Sequence, residues 1–356
     1  MVFIHDSMQL KKSRITLTLY DEMMEQPQYL RELAAHYQAN QKIFDIYGKS
    51  GAKRVLLTGM GASYHAAWIS AMSFNRCGIP AQAVEAADLL NYGTGQPRSD
   101  TLLFYISQSG TSGEVAPLLE DLPKGVTVVA ITNNPGSELA RRAALTLPMV
   151  AGNETLVATK TYVNTIALLW AFARYVCAAD SQDIFENLRQ VSESVAGLLA
   201  QAQQTAAKLL NTFDESQPLL FVGHGPHAAT ARHAAMIMSE WSKVAALNAG
   251  IGAFRHGFIE TICPGFGVVV FAPPGPTRAS ALTLAEELST YGARLLLVEN
   301  GAVRTLEEPA AQASEVDEFL SPILDIIPIQ VYTEALARKL GFGKGFRYIG
   351  KVVRNI

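Results

Sequence analysis

Cysteine is scarce in this 356-residue chain, and its three copies, Cys77, Cys177 and Cys263, lie far apart in apolar surroundings. An odd number of widely spaced cysteines does not make a disulfide framework, so we expect buried, reduced thiols in a cytosolic protein. Clusters of cysteine and histidine with the spacing of metal ligands are also missing. We therefore expect neither a metal site nor a cofactor.

An excess of positive charge and a long apolar segment are missing as well. The formal net charge is −3, which provides no basic surface for nucleic acid. The longest apolar helix-like run, Ile166–Ala173, is far shorter than the roughly 20 residues that cross a bilayer. His5, Asp6 and Lys11-Lys12 interrupt the start of the chain, where a signal peptide would be apolar. These absences predict a cytoplasmic protein without a nucleic-acid or membrane partner.

What the chain does have is a loop rich in hydroxyl groups. The apolar run Leu102–Tyr105 is followed by Ile-Ser-Gln-Ser-Gly-Thr-Ser over 106–112 and then by a helix-like stretch. Hydroxyl groups, an amide and free backbone N–H groups at a helix N-terminus favour an anion. Because the loop has no lysine and no Gly-Lys-Ser/Thr, it is not a nucleotide P-loop, and we expect it to bind a sugar phosphate. The alternative is a Ser-Gly turn that caps a helix.

A second loop of the same kind strengthens that prediction. Gly59–His65 follows the predicted strand Arg54–Leu57, its glycines allow a tight turn, and Ser63 lies where a helix begins. The dinucleotide-binding pattern GxGxxG is not completed.

The chain repeats its strand pattern. The pattern of Arg54–Gly61 recurs in Leu219–Gly225. The later predicted strands of the first half also recur in the second half, in the same order. Short apolar runs that alternate with helices predict an α/β fold with two doubly wound domains, each a parallel sheet flanked by helices. We predict a helical arm at 1–34, a phosphate-binding domain at 35–180, a helical connector at 181–210, a second domain at 211–335 and a tail at 336–356.

The repeat breaks where the first half has its hydroxyl loop. The second half has Ala272–Thr277, with three prolines, at that position. Prolines lack the N–H donors that a phosphate requires, so we predict one phosphate site per chain.

Ionisable groups appear in the second half instead. On the helix-like stretch 228–243, the residues His233, Ile237 and Glu240 share one face. A carboxylate on an apolar face has a raised pKa, which suits acid–base chemistry. The alternative is an exposed glutamate paired with Lys243 or Arg232. Three further histidines are weaker candidates that we expect to make local hydrogen bonds near glycine turns: His65, His224 and His227.

These motifs together resemble the sugar isomerase (SIS) family, above all the isomerase half of the glucosamine-6-phosphate synthases. The resemblance rests on 25–27, 61–65, 107–110, 156–160 and 316–323, in the family's order. It implies phosphate or sugar contacts from Ser63, Ser107, Gln108, Ser109, Ser112, Val157 and Thr159. It also implies catalytic roles for Glu240 as the base that moves a proton, for His256 in ring opening, and for Lys351 on a tail that closes the site. In the family the histidine comes from the neighbouring subunit, so the resemblance implies a homodimer.

The chain departs from the synthases in three ways. It has no cysteine near Met1, so we expect no glutamine-dependent amination. Ile237 and His233 replace a lysine and a glutamate of the synthase helix face. Residues 254–260, Phe-Arg-His-Gly-Phe-Ile-Glu, resemble the fructosamine-6-phosphate deglycases more than the synthases.

We therefore predict a deglycase that cleaves an N-glycated amino acid sugar 6-phosphate, of the fructoselysine or glucoselysine type, to hexose 6-phosphate and a free amine. Two alternatives stay open. One is a glucosamine-6-phosphate deaminase or an aldose–ketose phosphosugar isomerase with the same residues. The other is a non-catalytic sugar-phosphate sensor.

Overall fold

A computed structural model of the chain describes residues 18–93, 97–177, 181–310 and 316–353. The strands are β1 Arg54–Gly59, β2 Ala81–Glu85, β3 Thr101–Ile106, β4 Thr127–Thr132, β5 Leu145–Pro148, β6 Leu219–Gly223, β7 Ala246–Gly250, β8 Gly267–Phe271, β9 Arg294–Glu299 and β10 Ala302–Arg304. The helices are α1 Leu19–Met24, α2 Gln26–Ala39, α3 Ile46–Lys49, α4 Ala62–Arg76, α5 Ala86–Tyr92, α6 Val115–Asp121, α7 Glu138–Arg142, α8 Lys160–Val176, α9 Ser181–Ala200, α10 Ala202–Thr212, α11 Pro226–Trp241, α12 Ile251–Arg255, α13 Arg278–Thr290, α14 Ser321–Asp325 and α15 Ile327–Lys339. Two 3-10 turns complete the described elements, Gln41–Asp45 and Phe258–Thr261.

Two five-stranded sheets form the frame of the molecule. The first has the order β2-β1-β3-β4-β5, and all its pairs are parallel. The second has the order β10-β9-β8-β6-β7, in which only the β9–β10 pair is antiparallel. The central strands β3 and β8 are buried along their whole length, as expected for strands covered on both faces. The predicted α/β fold with parallel sheets is thus confirmed.

The helices α4, α8 and α11 pack in the space between the two sheets. One apolar core joins Leu57 and Phe104 of the first sheet with Phe221 and Phe271 of the second. Separate clusters cover the outer face of each sheet. Helix α8 is buried from Lys160 to Ala173, because its run of Ile, Leu, Ala and aromatic residues leaves no polar face. Burial of α8 fixes the position of the loop that precedes it.

The predicted domain boundaries stay predictions, although the ranges 35–180 and 211–335 each enclose one sheet. Helices α9 and α10 occupy the predicted connector, and α1 and α2 form the arm. The start of the arm at 1–17, including the expected absence of a signal peptide, lies outside the described residues, as do 94–96, 178–180, 311–315 and 354–356. Within the described part of the chain, no helix is both long and apolar enough to cross a membrane.

Candidate functional site

A cavity of about 630 Å³ opens at the carboxyl ends of β1 and β3 and extends to α11. Ligands of parallel α/β sheets bind at this edge, where loops follow the strands. The cavity brings together seven residues predicted from sequence, which are Ser63, Ser107, Gln108, Ser109, Ser112, Glu240 and Lys351. Residues from four separate parts of the chain therefore share one space.

The hydroxyl loop is pre-arranged by its own backbone. The Gly110 N–H donates to Ser107 Oγ at 3.1 Å, and the Thr111 N–H donates to Ser109 Oγ at 3.2 Å. Because each oxygen accepts, each hydroxyl hydrogen stays free to donate to a ligand. Gly110 has φ of +62°, and a Cβ there would lie 2.1 Å from Ser137 Oγ, so the turn requires glycine. The loop thus presents donors of the kind that a phosphate accepts.

Helix α4 adds the positive end of a helix dipole to the same cavity. Its first turn, with Ala62 and Ser63, lines the cavity wall. The helix that follows the hydroxyl loop, α6, has only 7 residues and begins at Val115. The longer α4, with 15 residues, is therefore the main source of dipole stabilisation for an anion.

Glu240 lies in the last turn of α11 and reaches the opposite wall of the cavity. Burial raises the pKa of its carboxyl above 4.5, while Lys351 and then Lys243 oppose that shift. A raised pKa makes a carboxyl better suited both to take and to return a proton. The expected apolar setting of Glu240 is thus present, although the cations moderate it.

Lys351 reaches the cavity from the C-terminal tail. Its Nζ donates to Glu154 Oε2 at 3.2 Å and to the carbonyl of Leu156. Glu154 is buried and also accepts from the Thr159 N–H at 2.9 Å and from Thr161 Oγ1 at 2.5 Å. Burial raises the pKa of Glu154, but Lys351 and the threonine donors outweigh it and lower the net pKa. A charged carboxylate thus holds the lysine at the cavity.

Sequence reasoning missed Glu154, because a lone glutamate in a loop carries no signal of its partner. It also did not foresee where the side chains of this loop point. Val157 and Thr159 are buried beneath the surface of the main cavity, and their neighbours Leu156, Ala158 and Thr161 line it instead.

The N-terminal arm holds that loop from behind. The Glu22 carboxylate accepts from the Thr155 N–H at 2.7 Å and from the Leu156 N–H at 3.4 Å. The fully buried Lys160 ammonium pairs with Glu25 and donates to the Asn153 carbonyl at 2.8 Å. Leu156 is therefore held by the arm on one side and by the tail lysine on the other.

His233 and Ile237 support α11 from below the cavity. Both are buried, and the His233 ring stacks on Tyr162 with centroids 3.7 Å apart. Burial, with His65 nearby, lowers the pKa of His233 well below its usual range. The imidazole is therefore neutral. Neither His233 nor Ile237 places a positive charge on the face of α11 beneath Glu240.

The other histidines are placed differently. His256 is exposed at the end of α12 and does not line the main cavity of its own chain. The buried His227 bonds Asp325 at 2.7 Å, and His224 contacts Ser280 Oγ at 3.1 Å, so both partners are distant in sequence rather than local. Burial, and then Arg232, lower the pKa of His65 to about 3.

Among the described residues, no group of three or more histidines, cysteines and carboxylates is arranged to hold a metal ion.

The parallel sheet, with the hydroxyl loop and the glycine turn at its carboxyl edge, defines an α/β domain with a candidate anion site. Residues 50–175, which contain the first sheet, match the family model of the SIS domain. The match ends before the second sheet begins.

Curated relatives align with most of this chain. A glutamine–fructose-6-phosphate aminotransferase (isomerizing) of Methanothermobacter thermautotrophicus is 27% identical over 316 residues, 87% of this chain and 52% of the relative. The aminotransferase of the same name from Thermococcus kodakarensis is 29% identical over 328 residues, 89% of this chain and 54% of the relative. The chain thus spans about half the length of the curated relatives it matches.

Solved structures share the fold over nearly the whole chain. The C-terminal domain of glucosamine-fructose-6-phosphate aminotransferase from Francisella tularensis has a TM-score of 0.81 at 20% identity, covering 90% of this chain and 95% of that one. Tagatose-6-phosphate ketose/aldose isomerase from Escherichia coli has a TM-score of 0.79 at 20% identity, covering 91% and 94%. Glucosamine-6-phosphate deaminase from Thermotoga maritima has a TM-score of 0.75 at 20% identity, covering 94% and 99%.

Proposed function

We propose that this protein is a phosphosugar enzyme that cleaves an N-glycated amino acid sugar 6-phosphate into hexose 6-phosphate and the free amine. One observation carries the proposal: a single cavity joins the hydroxyl loop, with Ser107 and Ser109, to a carboxyl of raised pKa at Glu240. The relatives, whose name contains fructose 6-phosphate, support a sugar phosphate as ligand.

The chemistry follows from those two groups. The phosphate binds the hydroxyl loop and the first turn of α4, and the sugar carbons next to the amine face Glu240. In a ketosamine phosphate, Glu240 removes a proton from C1 and returns it to C2, while the proton lost from the amine nitrogen replaces the one that the C2 carbonyl oxygen gains; the C1–N single bond becomes an imine and C2 becomes a carbinol. One water then adds to C1, the C–N bond breaks, and glucose 6-phosphate and the amine leave. A 2-amino aldose conjugate reacts in the opposite sense, by C2-to-C1 proton transfer, and yields fructose 6-phosphate.

Lys351 stabilises the negative charge that develops on the sugar oxygen during the proton transfer. Glu154 holds its ammonium in place at 3.2 Å. The face of α11 argues against isomerisation of a free amino sugar, because Ile237 and neutral His233 stand where the synthases have a lysine and a glutamate and provide no cation for a free substrate amine. A deaminase or an isomerase would use the same proton transfer, so the leaving group has to be measured.

The test supplies the protein with fructoselysine 6-phosphate, glucoselysine 6-phosphate, glucosamine 6-phosphate and fructose 6-phosphate in separate reactions. Free lysine or ammonia, glucose 6-phosphate and fructose 6-phosphate are then each quantified. Lysine together with a hexose 6-phosphate is the expected result. Ammonia from glucosamine 6-phosphate alone would mean a deaminase, and interconversion of hexose phosphates alone would mean an isomerase. Tight binding without any product would mean a sensor.

The proposed enzyme is a homodimer in which His256 acts in the partner's site. Three features of this chain support that arrangement. His256 is exposed and does not line its own chain's main cavity, β7 is an edge strand, and the apolar side chains of Leu247 in β7 and of Phe258, two residues after His256, are 51% and 64% exposed. Apolar side chains beside a free sheet edge favour association.

Mixing two inactive variants tests this arrangement. Glu240→Gln and His256→Asn chains are unfolded together and refolded. If the residues come from different chains, each mixed dimer regains one complete site, and random pairing restores about a quarter of wild-type activity. No recovery, with mixed dimers demonstrated by differently tagged chains, would place both residues in one chain's site or remove His256 from it.

The second sheet is, in this proposal, a diverged repeat of the SIS domain. The order β2-β1-β3-β4 in the first sheet and β7-β6-β8-β9 in the second supports it.

A further inference from the structure

A smaller cavity of about 270 Å³ lies beside the main one. The two share Ser239, Glu240 and Ile349, and none of the hydroxyl-loop residues reaches the smaller cavity. The side cavity therefore meets the main cavity at Glu240 and lies on the side away from the phosphate loop. Whatever is attached to the sugar carbons at Glu240 has this space to enter.

The side cavity carries more positive than negative charge. Lys243 and Arg347 line it, and Glu240 is the carboxylate on its described wall. Within the described ranges, Arg347 makes no ion pair, and its guanidinium lies 4.7 Å from the centre of the Phe342 ring. A guanidinium whose N–H donors are unused is well suited to a carboxylate.

Lys243 is held in an unusual backbone conformation next to this space. Its φ is +63°, in the left-handed region that side chains with a Cβ disfavour. Its Nζ donates to the carbonyls of Glu240 and Gly345, the latter at 3.0 Å, which fixes the ammonium between α11 and the tail. An ammonium has three donors, so one remains for a ligand.

Apart from Ser239, the remaining wall is apolar or aromatic. Phe346, Tyr348 and Ile349 line the cavity, and Tyr348 is 95% exposed. A released ammonia would need none of this space. A chain of methylene groups that ends in a carboxylate would contact the apolar wall and pair with the cations.

We propose that this side cavity binds the amine portion of the substrate and that this amine carries a carboxylate, which Arg347 and Lys243 recognise. The proposal rests on the proposed deglycase function and adds which residues select a glycated amino acid over a glycated alkylamine or ammonia.

The test compares two ketosamine phosphates, each a fructose 6-phosphate with the amine on C1, that differ only in the carboxylate. One carries lysine, attached through its side-chain amine, and the other carries cadaverine. The wild type should prefer the lysine adduct by about 10- to 100-fold in kcat/KM, the range expected for hydrogen bonds to a charged group. Arg347→Gln and Lys243→Met should each reduce that ratio toward one. Lys344→Met, an exposed lysine of the same tail outside the cavity, should leave the ratio unchanged.

Equal kcat/KM for the two adducts in the wild type would overturn the carboxylate subsite and leave the deglycase function standing. If neither adduct is cleaved, the proposed function fails, and the two dissociation constants from calorimetry then decide the subsite. Equal dissociation constants would overturn it, and a preference that Arg347→Gln removes would support it.

Discussion

The two halves of the molecule use the same backbone turn for different purposes. After β1, Gly61 starts α4 with φ of +53° and ψ of −122°, and after β6, Gly225 starts α11 with φ of +50° and ψ of −121°. The residue two positions later is Ser63 in the first half and His227 in the second. Ser63 lines the main cavity, whereas His227 is buried and bonds Asp325.

The loops that follow β3 and β8 also differ in the groups that they can offer to a ligand. In the first half the loop offers the hydroxyl groups of Ser107 and Ser109 to a cavity. In the second half the loop 272–277 has no serine, and its prolines at 273, 274 and 276 lack backbone N–H donors. The same turn can therefore place a side chain at a cavity or in the protein core. The identity of that side chain determines which of the two occurs. The second half contributes Glu240 from the far end of its helix instead.

Breaking the buried pair in the second half should have the largest effect on stability. Asp325 accepts from the Gly301 N–H at 2.6 Å as well as bonding His227. Asp325→Ala leaves the buried Gly301 N–H without this acceptor and leaves His227 with a 3.5 Å contact to Ser321 Oγ in place of the 2.7 Å bond, so the free energy of unfolding should fall by about 3–5 kcal/mol. Urea unfolding measures the change. Ser63→Ala, at the matching turn of the first half, should cost far less, and equal losses would contradict the difference drawn between the turns.

Removing the carboxylate of α11 should have the largest effect on activity. Glu240→Gln keeps the shape of the side chain but removes the base, so kcat should fall by about 100-fold or more while the substrate still binds. Steady-state kinetics and deuterium incorporation from solvent into the hexose phosphate measure the loss. Glu286→Gln, an exposed glutamate of α13, is the matched control. Near-normal turnover in the Glu240 variant would exclude it as the base.

Ser109→Ala should weaken sugar-phosphate binding by about 1.5–3 kcal/mol, because one donor to a charged group is lost. Calorimetric titration with glucose 6-phosphate measures the affinity, and unphosphorylated glucose is the control ligand. Thr277→Ala, in the corresponding loop of the second half, should not change it. An unchanged affinity in the Ser109 variant would mean that the phosphate binds elsewhere.

The pH dependence of kcat/KM should show the smallest effect. Burial raises the pKa of Glu240 above its ordinary 4.5, and the proton transfer needs the carboxylate form. Activity should therefore fall as the pH drops through a pKa above 4.5. The substrate phosphate titrates near pH 6, at about its second pKa, so inhibition by glucose 6-phosphate is measured over the same range as a correction. A corrected acid limb at or below 4.5 would contradict the raised pKa.

Local signals in the chain were sufficient for the strands, for the parallel sheets and for the position of the hydroxyl loop at the end of β3. The runs before Gly59 and Ser107 are apolar and bounded by glycine and serine, and each feature lies within a few residues of its own evidence. The break in the repeat at Ala272–Thr277 could also be recognised from the sequence, because proline lacks a backbone N–H donor in any fold.

Pairings across the chain were decided only when the sheets and helices packed. Lys351 and Glu154 are 197 residues apart, and His227 and Asp325 are 98 apart. The direction of Lys160, which pairs with Glu25 rather than facing the cavity, depends on α8 being buried on all sides. A charged side chain in a buried segment must find whichever opposite charge the packing brings near, since an unpaired charge there is too costly, and that partner is a property of the three-dimensional arrangement.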